Sequence, residues 1–344
     1  MPQSLGIPAF LQAPGPVLDV RSPGEFDQGH IPGAINLPLF SNPERVAVGT
    51  CYKQQGREVA VELGLVIVGP KLADLVHQAK ALAPDRQIRI HCWRGGMRSA
   101  SLGMVLEMAG FKVVLLERGY KAFRQWVRQV LAQPRSLYIV GGMTGTGKTE
   151  ALLALKDLGE QVVDLEGLAH HRGSSYGNLG LPPQPTTEHY ENDLAWALAG
   201  CDRQRPVWIE AESRQVGTCR IPPELFSQME QAPVLELVRS LGDRLALLTQ
   251  VYGDCDRADL MTATERIRKR LGGLRTQQAL DHIQGGNITA AMAIVLAYYD
   301  QTYRYDLDRR AVPCYPLIVT DRSPSAVAQA LQHLAQATLA PPAP

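Results

Sequence analysis

No stretch of the sequence approaches the roughly 18 apolar residues of a membrane-spanning helix. The first 30 residues also lack the basic-then-apolar pattern of a secretory leader. These absences point to a cytoplasmic chain with no membrane partner. There is no C-x-x-C pair, and the six cysteines (Cys51, Cys92, Cys201, Cys219, Cys255 and Cys314) have no histidine near them at metal-ligand spacing. That argues against a disulfide framework and against a structural zinc, and most of these thiols are expected to be inert core residues. A net charge of +1 excludes a globally basic nucleic-acid binder but leaves room for a local basic patch. Internal repeats and low-complexity blocks are absent as well. What remains is ordinary soluble composition, 45% hydrophobic and 20% charged over 344 residues, enough for about two domains with cores of their own.

Hydrophobic periodicity predicts alternating strands and helices. In the first half, strands are expected at 16–22 (PVLDVRS), 31–40, 87–92 (QIRIHC) and 112–119 (KVVLLERG). Helices are expected at 23–30, at 57–83 with a Gly-Pro break at 69–70, and at 97–111 closed by Gly110. A helix over 120–136, ended by Pro134, closes this half. The pattern restarts with strands at 137–142, 161–166, 206–212 and 234–240, long helical stretches from about 243 to 303, a last strand at 315–321, and an APPAP tail expected to be disordered. Strands separated by helices imply two mainly parallel α/β domains, 1–132 and 133–344, the second with a helical C-terminal part.

Two loops carry chemistry. The first, HCWRGGMRS, runs from a strand through Cys92 to Gly95 and Gly96 and into a helix. Backbone N–H groups at such a helix start converge on an anion, and the helix dipole adds to the attraction. A thiolate there has a lowered pKa, with Arg94 and Arg98 supplying positive potential. The same loop, together with LDVRSPGEFDQGHIPGAINLP (18–38), resembles rhodanese sulfurtransferase domains over roughly residues 8–130. The resemblance implies a cysteine that carries sulfur or selenium, with Asp19 and Arg21 shaping and polarising the site; a strand-end salt bridge is the other reading of that pair. Many such loops read Cys-x4-Arg, whereas this one reads Cys92-x5-Arg98. The wider spacing also occurs in related cysteine phosphatases, and it suits a phosphate-bearing donor such as selenophosphate or thiophosphate. A true phosphatase would need a general acid that the sequence does not clearly supply.

The second loop is Gly142-x4-Gly147-Lys148-Thr149, with Gly145 and Thr146 inside it, between a predicted strand and a predicted helix. Successive N–H groups in this pattern wrap a diphosphate, Lys148 adds charge, and Thr149 reaches a metal or an oxygen. Glu210 and Glu212 stand where a second acidic strand end would lie, with Arg214 following. If the loop works with magnesium, one of these carboxylates holds it through water; otherwise both are ordinary strand-end acids. No base-specificity motif accompanies the loop.

Taken together, the two loops and the segments at 48–65, 164–177 (DLEGLAHHRGSSYG), 209–217 and 296–305 are similar to the tRNA 2-selenouridine synthase family over essentially the whole length. The resemblance implies conversion of wobble 2-thiouridine in tRNA to 2-selenouridine through an S-geranyl intermediate. Geranyl diphosphate and selenophosphate would serve as substrates, with no tightly bound cofactor. It places His171, Arg172, Ser174 and Ser175 as contacts to phosphate or uridine. Cys51, in the polar segment GTCYKQQG, reads either as a redox partner of Cys92 or as a structural thiol. The basic run ERIRKR, expected on a helix, offers Arg266, Arg268, Lys269 and Arg270, with Arg275 beyond, to a tRNA backbone. Tyr298, Tyr299, Tyr303 and Tyr305 offer stacking surface, although tyrosines at this spacing more often pack. The competing function is a sulfur relay to a protein partner, coupled to an ATP- or GTP-binding regulatory domain. Oligomeric state, the metal requirement and the tRNA set are not encoded in any readable pattern.

Overall fold

The computed structural model describes residues 2–308 and 311–339; the APPAP tail and the Tyr305 side chain lie outside the described residues. The chain divides into two compact units, Met1–Val130 and Leu131–Pro344.

The first unit holds five strands: β1 (Gln3–Leu5), β2 (Val17–Asp19), β3 (Ile35–Asn36), β4 (Gln87–His91) and β5 (Lys112–Leu116). They form one sheet in the order β1-β5-β4-β2-β3, parallel throughout. A parallel sheet is covered on both faces, so its central strands read as nearly unbroken apolar runs. Leu18, Ile88, Ile90 and Val113 are accordingly buried, with Leu102 and Leu106 of the helix Met97–Met108 packed against them. Each such side chain contributes about 1.5–3 kcal/mol through burial.

The expected strand over 31–40 shrinks to the two residues of β3. Pro32 and Pro38 cannot donate to a ladder, so Ile31, Leu37, Leu39 and Phe40 reach the core from irregular backbone. The segment before 57, to which no element was assigned, is a helix, Asn42–Gln55. It is started by a capping box between Ser41 and Glu44, with Pro43 in its first turn. Short β1 and the helix Ile7–Gln12 were also not expected.

The second unit has β6 (Leu137–Gly142), β7 (Gln161–Val163), β8 (Val207–Glu210), a small hairpin β9–β10 (Gln215–Val216 and Cys219–Arg220), β11 (Val234–Val238) and β12 (Cys314–Ile318). The main sheet runs β12-β11-β6-β8-β7, all parallel. From β6 the chain passes to the edge strand β7, returns to β8 beside β6, and then crosses to β11 on the other side. The order therefore reverses at β6, and in open parallel sheets ligands bind at the carboxyl ends of the strands at such a point. Trp208 is buried on β8, edge-on to Tyr138, and its indole N–H donates to Glu160 at 3.2 Å. The helices Lys148–Asp157 and Pro324–Leu339, the latter not expected, cover this sheet through Leu152, Leu155, Val327 and Leu331.

The helical part comprises Leu241–Tyr252, Arg257–Arg266, Arg268–Leu271, Gly273–Gln284 and Ile288–Asp308, with a core of its own around Leu260, Ile283, Met292 and Leu296. The basic run is not one helix as expected. Buried Ile267 caps the helix ending at Arg266, a single turn follows, and Gly272 at φ +90° opens the next helix. Among the described residues, no helix is long and apolar enough to cross a membrane.

Candidate functional site

In the first unit, β4 delivers Cys92 to the carboxyl edge of the sheet, and the loop turns at Gly95 and Gly96 into the helix Met97–Met108. The loop is fastened from behind. Tyr120 N–H donates to the Cys92 carbonyl at 2.8 Å and Lys121 N–H to the Trp93 carbonyl at 3.0 Å. Gly95 has φ +64°, and a Cβ there would stand 2.8 Å from both Arg118 N and Leu116 O. Gly119, at φ +57°, leaves no room for a Cβ against the Cys92 carbonyl. Glycine at these two places is what permits the close crossing.

Cys92 is 2% exposed, and its Sγ lies 3.2 Å from the Ser99 hydroxyl. Burial pushes the thiol up. Hydrogen bonds from the Ser99 hydroxyl and N–H, the Arg98 charge and the Gly96 backbone outweigh that, so the thiol is held below its usual value. Ser99 was not singled out in the sequence. Its signal is its place in the first turn of the helix, one residue after Arg98, where a hydroxyl faces back into the loop. Replacing Ser99 with alanine is expected to raise the thiol pKa. Alkylation by iodoacetamide at neutral pH should then slow by about tenfold, with the rate–pH profile moved to higher pH.

The arginines are used unequally. Arg94 is exposed. Arg98 donates to Glu25 at 2.8 Å, and Glu25 also faces Arg45 at 3.4 Å, so part of its charge is neutralised by a carboxylate rather than free for an anion. Burial raises the Glu25 carboxyl, but Arg98 dominates and holds it below the usual range.

Asp19 and Arg21 are both fully buried and bonded to each other, with Arg21 Nε at 2.9 Å and Nη2 at 2.6 Å from Asp19 Oδ2. Arg21 also donates to the Gly29 carbonyl at 2.7 Å and stacks 3.8 Å over the Tyr120 ring. The pair is a buried ion pair at the end of β2. It braces the same Tyr120 that holds the Cys92 carbonyl. Burial raises the Asp19 carboxyl, but His91 and Arg21 bring it below its ordinary value. Cys51 is buried on the helix Asn42–Gln55, and like the other five cysteines it is a free thiol.

In the second unit, the loop after β6 ends at Gly147, the residue before the helix Lys148–Asp157. Lys148 Nζ donates to the Gly142 carbonyl at 3.1 Å, the Thr146 hydroxyl to the Met143 carbonyl at 2.8 Å, and the Thr149 hydroxyl to Glu166 at 3.1 Å. The helical part reaches this loop through Tyr303 and through Arg244, the latter without any signal in the sequence. The Tyr303 hydroxyl accepts from Gly142 N–H at 2.7 Å, and Arg244 Nε donates to the Thr144 carbonyl at 2.9 Å. No local pattern marks either contact, because more than 90 residues separate the partners.

Three carboxylates gather beside the loop. Glu210, 1% exposed at the end of β8, accepts from Glu166 N–H at 2.7 Å, while its Oε2 is buried without a partner. Burial and the charges of Asp164 and Glu166 push the Glu210 carboxyl well above its usual range. Glu212 is pushed well up by burial and by Glu166, to which it is hydrogen-bonded, while Lys148 opposes this. Among the described residues, no group of three or more His, Cys, Asp or Glu side chains is placed to hold a metal ion.

The segment 170–177 folds against this cluster. Gly173 has φ +64°, and a Cβ there would lie 2.6 Å from Glu212 Oε1 and 2.7 Å from Glu166 Oε1. Its polar residues divide. Ser175 is committed to structure, its N–H donating to the Tyr299 hydroxyl and its hydroxyl to the Ala263 carbonyl, each at 2.8 Å. Arg172 donates to the Leu179 carbonyl at 2.8 Å, and Ser174 accepts from Tyr176 N–H at 3.2 Å. His171 is 8% exposed, and its Nδ1 has no partner; burial, with Arg172 adding to it, lowers its pKa. Tyr299 and Tyr303 therefore pack and bond rather than offer free stacking faces. Tyr298 is half-buried and tilted against Tyr299. Arg214 lies over the Phe226 ring at 5.5 Å.

Arg266, Arg268, Lys269, Arg270 and Arg275 are all exposed. Arg268 is paired with Glu265 at 2.6 Å. Arg270 is close enough for its charge to lower the Tyr299 phenol, which burial raises to about 12.

The family model described as the tRNA 2-selenouridine synthase AAA domain matches residues 135–337, and the rhodanese-like domain model matches residues 9–126. The chain belongs to the tRNA 2-selenouridine synthase family. A tRNA 2-selenouridine synthase of Marinobacter nauticus is 36% identical over 86% of this chain and 89% of its own length. One of Shewanella denitrificans is 35% identical over 90% and 93%, and one of Salmonella heidelberg 37% identical over 88% and 92%. These family relatives span both units.

Proposed function

We propose that this chain is a cytoplasmic tRNA-modifying transferase that converts wobble 2-thiouridine to 2-selenouridine in two steps, geranyl transfer and then selenium transfer. The observation that carries the reading is the similarity to synthases of that name along both units, since it ties the thiol loop and the P-loop to one reaction.

In the first step the 2-thio sulfur attacks C1 of geranyl diphosphate. The C–S bond forms, the C–O bond breaks, diphosphate departs and N3 of the uridine gives up its proton. Lys148 and the N–H groups around Gly145, Thr146 and Gly147 neutralise the leaving diphosphate, with Gly142 and Thr149 at the ends of the grip. Alkylation turns a poor sulfur leaving group into a good one. In the second step the selenium of selenophosphate adds at C2, the C–S bond breaks and geranylthiol leaves with a proton, and water then cleaves the Se–P bond to release phosphate and leave 2-selenouridine. Cys92, whose thiol is held low by Ser99 and Arg98, serves this step in the first unit.

Support for the RNA comes from the exposed arginines and lysine at 266–275, beside the Tyr299 that anchors the segment 170–177. Such a cluster tracks phosphates with salt-dependent affinity. His171, with its unpartnered nitrogen, is the residue of that segment best placed to meet the uridine.

The test is product analysis. Protein supplied with 2-thiouridine-containing tRNA, geranyl diphosphate and selenophosphate is expected to yield 2-selenouridine at the wobble position by nucleoside mass. Unchanged 2-thiouridine would overturn the reading.

A further inference from the structure

The geometry points to Arg239 as a further ligand of the diphosphate in the P-loop, the partner of Lys148 in neutralising the leaving anion. This rests on the reading of that loop as a diphosphate grip and names a second group that closes it.

Arg239 follows β11, whose Val234–Leu237 pair in parallel register with Ile139–Gly142 of β6. The two strands end side by side, so the residue after β11 emerges next to the loop that follows β6. Arg239 Nη2 lies 3.7 Å from the point where a Cβ on Gly147 would stand, against the residue that opens the helix Lys148–Asp157. Its Nε is buried with no hydrogen-bond partner. An arginine keeps its charge, and a buried donor left unmatched is costly, so a guanidinium in this state calls for an acceptor.

The nearby arginine shows what a structural one looks like here. Arg244 is 3% exposed and every branch is engaged, Nε with the Thr144 carbonyl at 2.9 Å and both Nη groups with Asp300, Nη1 at 3.0 Å. Arg244 props the loop from behind. Arg239 Nε has no such commitment among the described residues, and Glu150 Oε2 lies 3.6 Å from the same point at Gly147.

Charge balance adds a second argument. Lys148 is the single cationic side chain within the loop 142–149. One lysine is a weak match for a diphosphate. A guanidinium supplies the missing charge and, unlike an ammonium, a planar fork that takes two phosphate oxygens at once.

The experiment measures binding of inorganic pyrophosphate to the full-length protein by calorimetry, alongside KM for geranyl diphosphate. Arg239→Ala is expected to weaken pyrophosphate binding by about ten- to a hundredfold, the size of a charge-assisted hydrogen bond, with KM rising in step. Arg239→Lys keeps stem and charge and loses only the fork, so it should fall between Arg239→Ala and the native protein; it also serves as the reporter if the alanine variant folds poorly. Native affinity in both Arg239 variants, with binding lost in Lys148→Ala, overturns the assignment and leaves the P-loop reading standing. Native affinity in Lys148→Ala as well would overturn the diphosphate reading itself, and Arg239 with it.

Discussion

Cys92→Ala is expected to abolish selenium insertion, by at least about a thousandfold, while geranyl transfer stays near the native rate. The reason is local. Cys92 ends β4 at the carboxyl edge of the first sheet, and its thiol is held low by Ser99 and Arg98 despite burial. Such a group suits handling of a chalcogen donor. In the proposed reaction, expulsion of diphosphate falls to the loop around Lys148, folded within the other unit. The change is also mild for the fold, since the buried side chain loses one sulfur and alanine accepts the same backbone. The measurement is wobble-nucleoside mass from single-step reactions, with melting temperature as the control. Equal loss of geranyl transfer in a folded variant would show that this division between the two loops is wrong.

Lys148→Ala carries the opposite bias. Geranyl transfer is expected to fall by about a hundred- to a thousandfold, the usual cost of removing one preorganised group from a developing anion. Selenium transfer to tRNA already carrying S-geranyl-2-thiouridine should persist. The loop itself should survive, because Thr146, Arg244 and Tyr303 hold it through other bonds. Lys148 contributes one bond to the Gly142 carbonyl and a charge that steadies Glu212. Without it that carboxyl moves further up. A shift in the pH profile of residual geranyl transfer would therefore accompany the loss.

What could be read from the chain in advance follows a physical division. Both sheets were visible because a parallel strand buried on two faces is written as a short apolar run, as in QIRIHC and LYIVGG. Both loops were visible because tight backbone needs glycine at set places and anion chemistry needs Cys92 or Lys148 beside it. The helix Asn42–Gln55 was obscured by the glycine and polar residues around Cys51, although Ser41, Pro43 and Glu44 mark its start. The basic run was misplaced because the interruption is set by burial of Ile267, a tertiary fact.

Long-range contacts were the main gap. Tyr303 meets Gly142, Arg244 meets Thr144, and Tyr299 meets Ser175 across separations that no local pattern records. Those contacts changed the meaning of several residues. Ser175 reads as a substrate contact in the sequence and is bonded into the scaffold in the structure, and Tyr299 and Tyr303, for which packing was the commoner expectation, are bonded there too. Ser99 and Arg239, unremarked beforehand, stand at the two anion loops.

The central claim is that one chain performs alkylation and selenation in sequence on the same nucleoside. The direct measurement is the mass of the wobble nucleoside after each donor is added in turn to the protein and 2-thiouridine-containing tRNA. Geranyl diphosphate alone is expected to give S-geranyl-2-thiouridine, and selenophosphate added next to give 2-selenouridine. No change in mass with either donor, or selenation that proceeds at full rate with geranyl diphosphate withheld, would contradict the account.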